Sequence, residues 1–328
     1  MTKDRQTIGV VGYGFVGEAV AKGLAPVADV VVYDKAKGWR GFKEGEQVTH
    51  EDREYQLPDH NPASILVARC SIIFVCVPTP MRQDGSCSTE IVEEVVRGLN
   101  RVEAKGLNRG GDEKVEWSVT AGHPKPTVVI KSTVPPGTTA RLQKECGWLD
   151  LVFNPEFLTE ANSLRDFADM DRVILGGEPG TRGLRGVGEL YEAFRNWQYG
   201  QGNMDMEIHY CPSTEAEMIK YLTNCFLACK VSLANEFAQV AEKVGADWDT
   251  VWGIASTDER LGESHWKVPG PDGKKGFGGS CFPKDVNGMI RFMSNNGILP
   301  HTLLGAWLKN TEVRPERDWE ELKGRAVE

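Results

Sequence analysis

One cysteine lies in a segment whose residue types suit a reactive thiol. Residues 276–285 read GFGGSCFPKD, so that glycines precede Cys281 and Pro283 follows it closely. Because proline favours the first turn of a helix, we expect Cys281 at or just before a helix N-terminus. The helix dipole and Lys284 would both stabilise a thiolate there, and the paired glycines would let a substrate approach the backbone closely. The segment therefore predicts a nucleophilic cysteine.

The other cysteines fit a different interpretation. The chain has eight cysteines in all, and they are scattered without a CxxC pair. Free thiols in a reducing compartment are the expectation for most of them. Cys225 and Cys229, which lie in a long predicted helix, fit buried and inert positions far better than Cys281 does.

A second group of residues is typical of dinucleotide binding. A predicted strand, Thr7 to Val11, runs into the pattern G-x-G-x-x-G at Gly12, Gly14 and Gly17, and a helical stretch and a second strand ending at Asp34 follow. The glycines permit a tight turn, close approach of a pyrophosphate and tight helix packing, and the helix N-terminus faces the phosphates. Asp34 would accept hydrogen bonds from the adenosine ribose and repel a 2′-phosphate. The pattern predicts NAD rather than NADP.

Three predicted strands end in similar residues. The segments are VPTP at 77–80, STVPPG at 132–137 and NPE at 154–156. Prolines stiffen each turn, and a hydroxyl or a carboxylate lies beside each one. Since the ligands of doubly wound sheets bind outside the carboxyl ends of the strands, these segments predict a lined crevice.

The order of the predicted elements indicates an α/β fold, with an N-terminal Rossmann-like doubly wound domain, a long spine helix and an all-helical dimerisation domain. We assign residues 1–211 to the NAD-binding domain and residues 212–328 to the helical domain, with the cysteine loop and a charged C-terminal tail from Glu312. Residues 105–125 are hydrophilic and are expected to form a surface excursion. In the first domain the predicted helices are 18–24 and 184–197. The further predicted strands are 30–33, 71–77, 127–131, 150–153, 172–175 and 207–210.

The spine helix is predicted from an uninterrupted stretch. No glycine or proline occurs from Ser213 until Gly245, and residues 214–217 fit a capping box. A helix of about 30 residues spans roughly 45 Å, which is long for one small domain. We therefore predict a homodimer built on this helix. The apolar and small residues that recur at helical spacing are Met218, Ile219, Leu222, Phe226, Cys229, Leu233, Phe237 and Val240.

Composition excludes several classes of function. The formal net charge of the 328-residue chain is −9, which argues against general affinity for nucleic acid or for an anionic membrane. No apolar run approaches the length of a membrane span, and the N-terminus leads directly into a strand rather than a signal peptide. We expect a cytoplasmic protein with a small-molecule substrate and without a metal site.

Taken together, the motifs resemble the UDP-glucose/GDP-mannose dehydrogenase family. The matching pieces occur in the family's order and cover nearly the whole chain. They are GYGFVG, VPTP, KSTVPPGTT, NPEFLTE, the pair Lys220 and Asn224 one helical turn apart, SLANE at 232–236, DERLG at 258–262 and GFGGSCFPKD. The resemblance implies oxidation of a sugar primary alcohol to a carboxylate by two hydride transfers to NAD, through a thiohemiacetal and a thioester on the cysteine.

The resemblance also implies roles for individual residues. Six match catalytic positions: Cys281 as the nucleophile, Lys220 and Asn224 as stabilisers of an oxyanion, Asp285 as the residue that orders water, and Glu156 and Thr133 around the reacting carbon. The residues expected to bind NAD are Gly12, Gly14, Phe15, Val16, Gly17, Asp34, Val77, Pro78, Thr79, Ser132, Thr133, Glu160 and Lys284. Those expected to bind the nucleotide sugar are Glu156, Phe157, Leu158, Lys220, Asn224, Arg260, Lys267, Phe277, Gly278 and Cys281.

Some points differ from the family or stay open. Ala161 stands where many members have glycine, and the chain ends at Glu328, about where a third, nucleotide-binding domain begins in most members. Without that domain, we expect nucleotide contacts from residues 156–158 and from the loop Ser264 to Gly279, and weak substrate binding. In that loop Lys267, Lys274 and Lys275 suit a diphosphate, although a solvated loop fits the last two equally well.

The identity of the substrate stays open as well. UDP-glucose is favoured by Phe282 after the cysteine, and GDP-mannose or another nucleotide sugar is the alternative. A remnant that binds NAD or a nucleotide sugar without turnover is the non-enzyme alternative. A simple β-hydroxyacid dehydrogenase would need no cysteine nucleophile, so Cys281 argues against that class.

Overall fold

The computed structural model describes residues 5–43, 46–48, 61–104, 125–202 and 206–328. The predicted excursion at residues 105–125 lies outside them except for Lys125. The strands are β1 (Thr7–Val11), β2 (Asp29–Asp34), β3 (Gly38–Lys43), β4 (Glu46–Val48), β5 (Ile72–Val75), β6 (Thr127–Ile130), β7 (Asp150–Phe153), β8 (Arg172–Gly176) and β9 (Glu207–Cys211). The helices are α1 (Phe15–Leu24), α2 (Pro62–Arg69), α3 (Glu90–Ala104), α4 (Thr138–Glu145), α5 (Ser163–Ala168), α6 (Arg182–Gly200), α7 (Ser213–Val244), α8 (Trp248–Ala255), α9 (Phe282–Asn295) and α10 (His301–Val313).

The described chain divides into two units. The first comprises residues 1–78 and 89–218, and the second comprises residues 79–88 and 219–328. The division therefore falls inside α7, and a short segment between β5 and α3 belongs to the second unit. The limits 1–211 and 212–328 given by the sequence stay a prediction.

The first unit is built on a nine-stranded sheet with the order β4-β3-β2-β1-β5-β6-β7-β8-β9. Strands β2, β1, β5, β6 and β7 run parallel to one another. Three neighbouring pairs are antiparallel: β2 with β3, β3 with β4, and β7 with β8. The predicted doubly wound α/β fold is confirmed. Because the chain continues from β1 to β2 on one side and returns to β5 on the other, β1 and β5 flank a topological switch point.

Burial explains why the central strands read as continuous apolar runs. Every residue of β5 and β6 is buried, as expected for parallel strands that helices cover on both faces. The core includes aromatic residues from α5 and α6, where the rings of Phe167 and Phe194 lie 5.4 Å apart. This packing fixes the carboxyl ends of the parallel strands, where the three proline-containing turns leave the sheet.

Helix α7 has 32 residues and the bounds that the sequence predicts. One side of it is buried and carries both apolar and polar residues, among them Tyr221, Asn224 and Ser232. The other side is apolar but exposed in this chain. Its residues are Met218, Leu222, Phe226, Leu233, Phe237, Val240 and Val244, with exposed fractions from 44% to 70%.

The second unit has its own small core. Tyr221, Cys225 and Ala228 of α7 pack there with Phe277 and with Val286 of α9. The predicted charged tail after Glu312 is instead folded. A 3₁₀ turn covers Asp318–Glu321, Arg314 and Trp319 are 2% and 1% exposed, and the backbone of Met81 pairs with Ala326 and Glu328. The segment is charged, as the sequence indicates, and ion pairs such as Arg314 with Asp318 allow its residues to pack.

Within the described residues, no helix combines the length and the apolar character needed to cross a membrane.

Glu217, near the start of α7, caps another helix. Its carboxylate is fully buried and accepts hydrogen bonds from the backbone N–H groups of Gly137, at 2.5 Å, and Thr139, at 2.8 Å, at the N-terminus of α4. A carboxylate is favoured there because the helix dipole is positive at that end. Burial nevertheless raises the pKa of Glu217 above its ordinary 4.5, with the hydrogen bonds to residues 137–139 opposing the shift.

This burial predicts a pH dependence of stability. Because the pKa of Glu217 is higher in the folded than in the unfolded chain, its contribution is fully present below pH 4.5 and is lost as the pH rises through the folded-state value. Glu217→Gln should therefore lose less unfolding free energy between pH 4.5 and pH 7 than the wild type, as measured by urea denaturation. Glu215→Gln, an exposed change in the same turn, should keep the wild-type slope. Parallel profiles for wild type and Glu217→Gln would contradict this assignment.

Candidate active site and cofactor site

The loop between β1 and α1 is shaped by its three glycines. Gly12 has a φ of +92°, and a Cβ there would approach the Cys76 carbonyl oxygen at 2.6 Å. A Cβ on Gly17 would overlap the Gly12 carbonyl oxygen. Gly14, the N-cap of α1, differs because a Cβ there would meet no atom within 4 Å. The fold therefore requires two of the glycines, and the open space at the third fits close approach of a pyrophosphate to the helix N-terminus.

Asp34 ends β2 and holds this loop. Its Oδ2 accepts a hydrogen bond from the Tyr13 N–H at 2.7 Å, and its Oδ1 accepts from the Ala36 and Lys37 N–H groups at 2.9 Å each. Burial raises the pKa of Asp34, but the backbone hydrogen bonds outweigh it and the pKa is lowered overall. A carboxylate has about four lone-pair sites, so one remains on Oδ2 for a ribose hydroxyl. These residues fit the adenosine end of NAD.

The turns after β5 and β6 lie next to this loop in the strand order. The Ser132 hydroxyl donates to the Val77 carbonyl at 2.6 Å, and Ser132 and Thr133 are both buried. Val77 and Pro78 belong to the first unit, whereas Thr79, buried with 4% exposure, belongs to the second. The Ser132 hydroxyl thus ties two strand ends together, whatever else it binds.

Glu156 follows β7 and is anchored at both oxygens. Its Oε1 accepts from the Phe157 N–H at 2.8 Å, and its Oε2 lies 2.9 Å from Lys131 Nζ. A cavity of about 320 Å³ opens beside it, lined by residues 156–158 and by Arg172, among others. Glu160, four residues further on, is exposed at the start of a 3₁₀ turn. The predicted substrate residues 156–158 therefore share a cavity.

In the second unit, Cys281 is the N-cap of α9, and Pro283 occupies the first turn. The Asp285 N–H donates to the Cys281 carbonyl at 2.9 Å, which begins the helix, and the Ser280 hydroxyl lies 3.8 Å from the Cys281 sulfur. Cys281 is half-buried. The predicted position at a helix start is confirmed, and it leaves the thiol reachable from solvent.

Burial suppresses the ionisation of several other cysteines. Burial raises the pKa of Cys70 and of Cys76 to about 12. Burial also raises the pKa of Cys225, to which the charge of Asp285 adds. These thiols stay protonated at neutral pH, which agrees with the inert role that the sequence suggests for cysteines such as Cys225.

A buried polar network lies around the first turn of α9. Asp285 is 1% exposed, and its carboxylate accepts from Asn224 Nδ2 at 2.6 Å and from Lys284 Nζ at 2.5 Å. Lys220 and Asn224 are both buried, one turn apart on α7. Burial lowers the pKa of Lys284, but the charges of Asp285, Cys87 and Cys281 raise it overall. Lys284 is therefore a cation within electrostatic range of the Cys281 sulfur.

Two residues missed by the sequence analysis fix the cysteine loop. The Phe277 N–H donates to Asn310 Oδ1 at 2.6 Å, and Asn310 Nδ2 donates to the Phe277 carbonyl at 3.0 Å. Arg314 is buried, pairs with Asp272 and Asp318 at 2.7 Å each, and occupies the space that a Cβ on Gly278 would need. Asp318 is four positions from Arg314, but the contacts with the cysteine loop, Asn310 to Phe277 and Arg314 to Asp272, join residues 33 and 42 positions apart, so no local spacing reveals them.

The predicted cationic residues of the loops behave differently. Lys274 forms ion pairs with Asp318 at 2.8 Å and with Glu316 at 3.6 Å, so its charge is already paired within this chain. Arg260 is exposed and pairs with Asp258. Lys267 is exposed. The structure thus brings Asn224, Lys284 and Asp285 together at the start of α9, with Lys220 buried one turn before Asn224. It leaves Arg260 and Lys267 on the surface of this chain.

Two family models match successive parts of the chain. The model of the UDP-glucose/GDP-mannose dehydrogenase family, NAD binding domain, matches residues 6–195. The model of the central domain of the same family matches residues 214–311. The glycine loop and the crevice turns lie in the first match, and the network around Cys281 lies in the second.

Individual relatives cover much of this chain. UDP-glucose 6-dehydrogenase YwqF of Bacillus subtilis is 32% identical over 70% of this chain and 46% of its own length. UDP-glucose 6-dehydrogenase AglM of Haloferax volcanii is 30% identical over 94% of this chain and 70% of its own. The structure of a UDP-glucose dehydrogenase from Pyrobaculum islandicum superposes with a TM-score of 0.71 at 29% identity, covering 95% of this chain and 69% of that one. The chain therefore spans about half to 70% of the length of these relatives.

The Asp34 geometry predicts the binding preference for the dinucleotide. Fluorescence titration should show NADH bound more tightly than NADPH, because the Asp34 carboxylate repels a 2′-phosphate. Asp34→Ala should weaken NADH binding by about 10- to 100-fold through lost charge-assisted hydrogen bonds, and should narrow the gap to NADPH. Asp29→Ala, at the other end of β2, should leave the preference unchanged. Equal affinities of the wild type for NADH and NADPH would contradict the assignment.

Proposed function

The chain belongs to the UDP-glucose/GDP-mannose dehydrogenase family, and we propose that it oxidises the sugar primary alcohol of a nucleotide sugar to the uronate, with UDP-glucose as the favoured substrate. The observation that carries the proposal is the buried network of Asn224, Lys284 and Asp285 at the helix start that holds Cys281. An ordinary dehydrogenase that stops at an aldehyde or ketone has no need of a cysteine placed in this way.

The reaction proceeds through a covalent bond to Cys281. Loss of a proton and a hydride from the sugar alcohol gives an aldehyde, and the thiolate adds to its carbon to give a thiohemiacetal. Loss of a second hydride from the same carbon, together with the hydroxyl proton, gives a thioester. Water then adds to the acyl carbon, the C–S bond breaks, and the uronate and the thiolate are released. Gly14 at the start of α1 and Asp34 would hold NAD, and two NAD molecules bound in succession would each supply the oxidant for one of the two hydride losses.

The residues of the second unit suit these steps. Lys220 and Asn224 supply an ammonium and an amide N–H for the oxyanion that forms when sulfur or water adds to the carbon. Asn224 retains one amide hydrogen for this role, because the other is donated to Asp285. We propose that Asp285, a hydrogen-bond acceptor, orders the attacking water, and that Thr133 and Glu156 have the roles that the family resemblance implies for them.

Residues 156–158 of the first unit and, separately, the loop before Cys281 of the second unit are the candidates that we propose for binding the nucleotide part of the substrate. Asn310 and Arg314 hold that loop in one conformation, and a preformed loop lowers the entropy cost of binding. Since Lys274 already pairs with Asp318, Lys267 is the better candidate for the diphosphate.

An assay of NADH production identifies the substrate. The purified protein is incubated with NAD and, in turn, with UDP-glucose, GDP-mannose and other nucleotide sugars. No NADH with any of them would favour a binding remnant.

We also propose a homodimer. The exposed apolar side of α7 carries Leu222 and Phe226, which are 70% and 63% exposed in the single chain. An apolar stripe of this length on a water-facing helix is typical of an interface with a second copy. The related residue in the family suggests that Arg260, exposed on this chain, acts in the partner's sugar site.

Substitution of the nucleophile tests the covalent route. Cys281→Ser should lower uronate formation by at least 1,000-fold, because a serine hydroxyl stays protonated where a thiol ionises. Cys211→Ser, a half-buried cysteine on β9, should keep turnover within about twofold of the wild type. Cys225 is a poorer control, because its thiol contacts the Asp285 carbonyl. Unchanged uronate formation by Cys281→Ser would exclude covalent catalysis at this residue.

The dimer prediction is checked by light scattering. The wild type should have twice the chain mass of 36.3 kDa, and Leu222→Glu combined with Phe226→Glu should shift it to the monomer. The two substitutions introduce charges into the interface core, where they lose their hydration. Glu242→Lys lies on the other side of α7 by helical spacing and should leave the mass unchanged. A wild-type monomer that retains full activity would refute the proposal.

A further inference from the structure

Lys131 is a buried cation that begins the motif KSTVPPGTT, but the sequence predicts no role for it. It is the first residue after β6, and Asn154 is the first residue after β7. Because Ile130 and Phe153 are partners in the parallel register, Lys131 and Asn154 lie side by side at the carboxyl ends of the two strands. Lys131 Nζ donates to Asn154 Oδ1 at 2.9 Å and lies 2.9 Å from Glu156 Oε2, and its side chain is 3% exposed.

Asn154 is itself fixed in orientation. Its Oδ1 also accepts from the Tyr191 hydroxyl at 2.7 Å, and its Nδ2 donates to the Ile174 carbonyl at 2.9 Å. Tyr191 comes from α6, which packs on the sheet, and it is 1% exposed. Asn154 therefore holds the Lys131 ammonium in place, since its own side chain is hydrogen-bonded to both helix α6 and strand β8.

The same arrangement fixes the Glu156 carboxylate. One of its oxygens accepts the N–H groups of Phe157 and Leu158, at 2.8 Å and 3.1 Å. The other oxygen faces the Lys131 ammonium. The cavity of about 320 Å³ beside Glu156 is also lined by Lys131 and Asn154. The carboxylate is thus held at the cavity wall with little freedom to rotate.

A lysine at this position is costly for folding alone. Burial lowers the pKa of Lys131, but the charge of Glu156 raises it overall, so the side chain stays a cation. An apolar residue packs more cheaply at a buried position than an ion pair does. The cation is therefore explained by what it does to Glu156.

We propose that Lys131, oriented by Asn154 and Tyr191, is a positioning residue that holds the Glu156 carboxylate for its role around the reacting carbon. This inference rests on the proposed function, because that function gives Glu156 its catalytic role. It predicts that Lys131 contributes to turnover only through Glu156.

A double-mutant cycle tests the inference with UDP-glucose, or with whichever nucleotide sugar gives NADH. Lys131→Met should lower kcat at least tenfold and change the KM for NAD by less than twofold. Lys131→Met combined with Glu156→Gln should have the kcat of Glu156→Gln within threefold, because the lysine has nothing left to position. Lys131→Arg, which keeps the charge, should recover part of the loss. Lys144→Met, an exposed lysine on α4, is the matched control and should behave as wild type.

Thermal unfolding of the same variants gives a readout that needs no activity. Lys131→Met removes the ion pair of the half-buried Glu156 carboxylate and should lower Tm, and adding Glu156→Gln should restore part of that loss. If Lys131→Met does not fold, the double variant is compared directly with Glu156→Gln. The inference would be overturned if the kcat of the double variant fell by the product of the two single losses, or if its Tm fell by their sum. A wild type that produces no NADH with any nucleotide sugar would instead overturn the proposed function, and the Tm cycle would still decide whether the two residues are coupled.

Discussion

Asp285 is a carboxylate that is only 1% exposed, and the contacts of the second unit around it stabilise a charge at this buried position. An unpaired buried charge is destabilising by several kcal/mol, so it requires donors at fixed positions. Asn224 from α7 and Lys284 from α9 provide them. The pairing therefore sets how the two helices meet, and it places the N-terminus of α9, with Cys281 as its cap, beside the buried face of α7 that carries Lys220.

The same physical rule recurs at the edges of this unit and in the sheet. Arg314 is buried because Asp272 and Asp318 pair with it, and the Arg314 hydrogen bond is the largest cause of the low pKa of Asp318, about 2. That pairing holds the loop before the cysteine. In the first unit Lys131 and Glu156 form a buried pair at the carboxyl ends of parallel strands. Both units thus use buried charge to fix the position of candidate site residues.

Much of the scaffold follows from local patterns. β1, β7 and α7 have the predicted bounds, because uninterrupted apolar runs and a 32-residue stretch free of glycine and proline leave few alternatives. β3, with the sequence GWRGFK, was not predicted, since glycines and charged residues break the alternation expected of a strand. α4 was missed as well, because its polar sequence is stabilised by the remote carboxylate of Glu217.

The site divides in the same way. Cys281, Asp34 and the glycines carry signals within a few residues of themselves, such as a following proline or a preceding strand. Lys131, Asn310 and Arg314 have partners that lie 23 to 42 positions away, so their roles appear only when the strands and helices are assembled. Sequence therefore identifies the groups that do chemistry more readily than the groups that hold them.

The ratio of NADH formed to nucleotide sugar consumed tests the central claim most directly. A chain that oxidises the alcohol through a thioester on Cys281 yields two NADH and one uronate for each sugar consumed, and no free aldehyde accumulates. One NADH per sugar, with an aldehyde or a ketone as the product, would contradict the four-electron route and the role assigned to the cysteine.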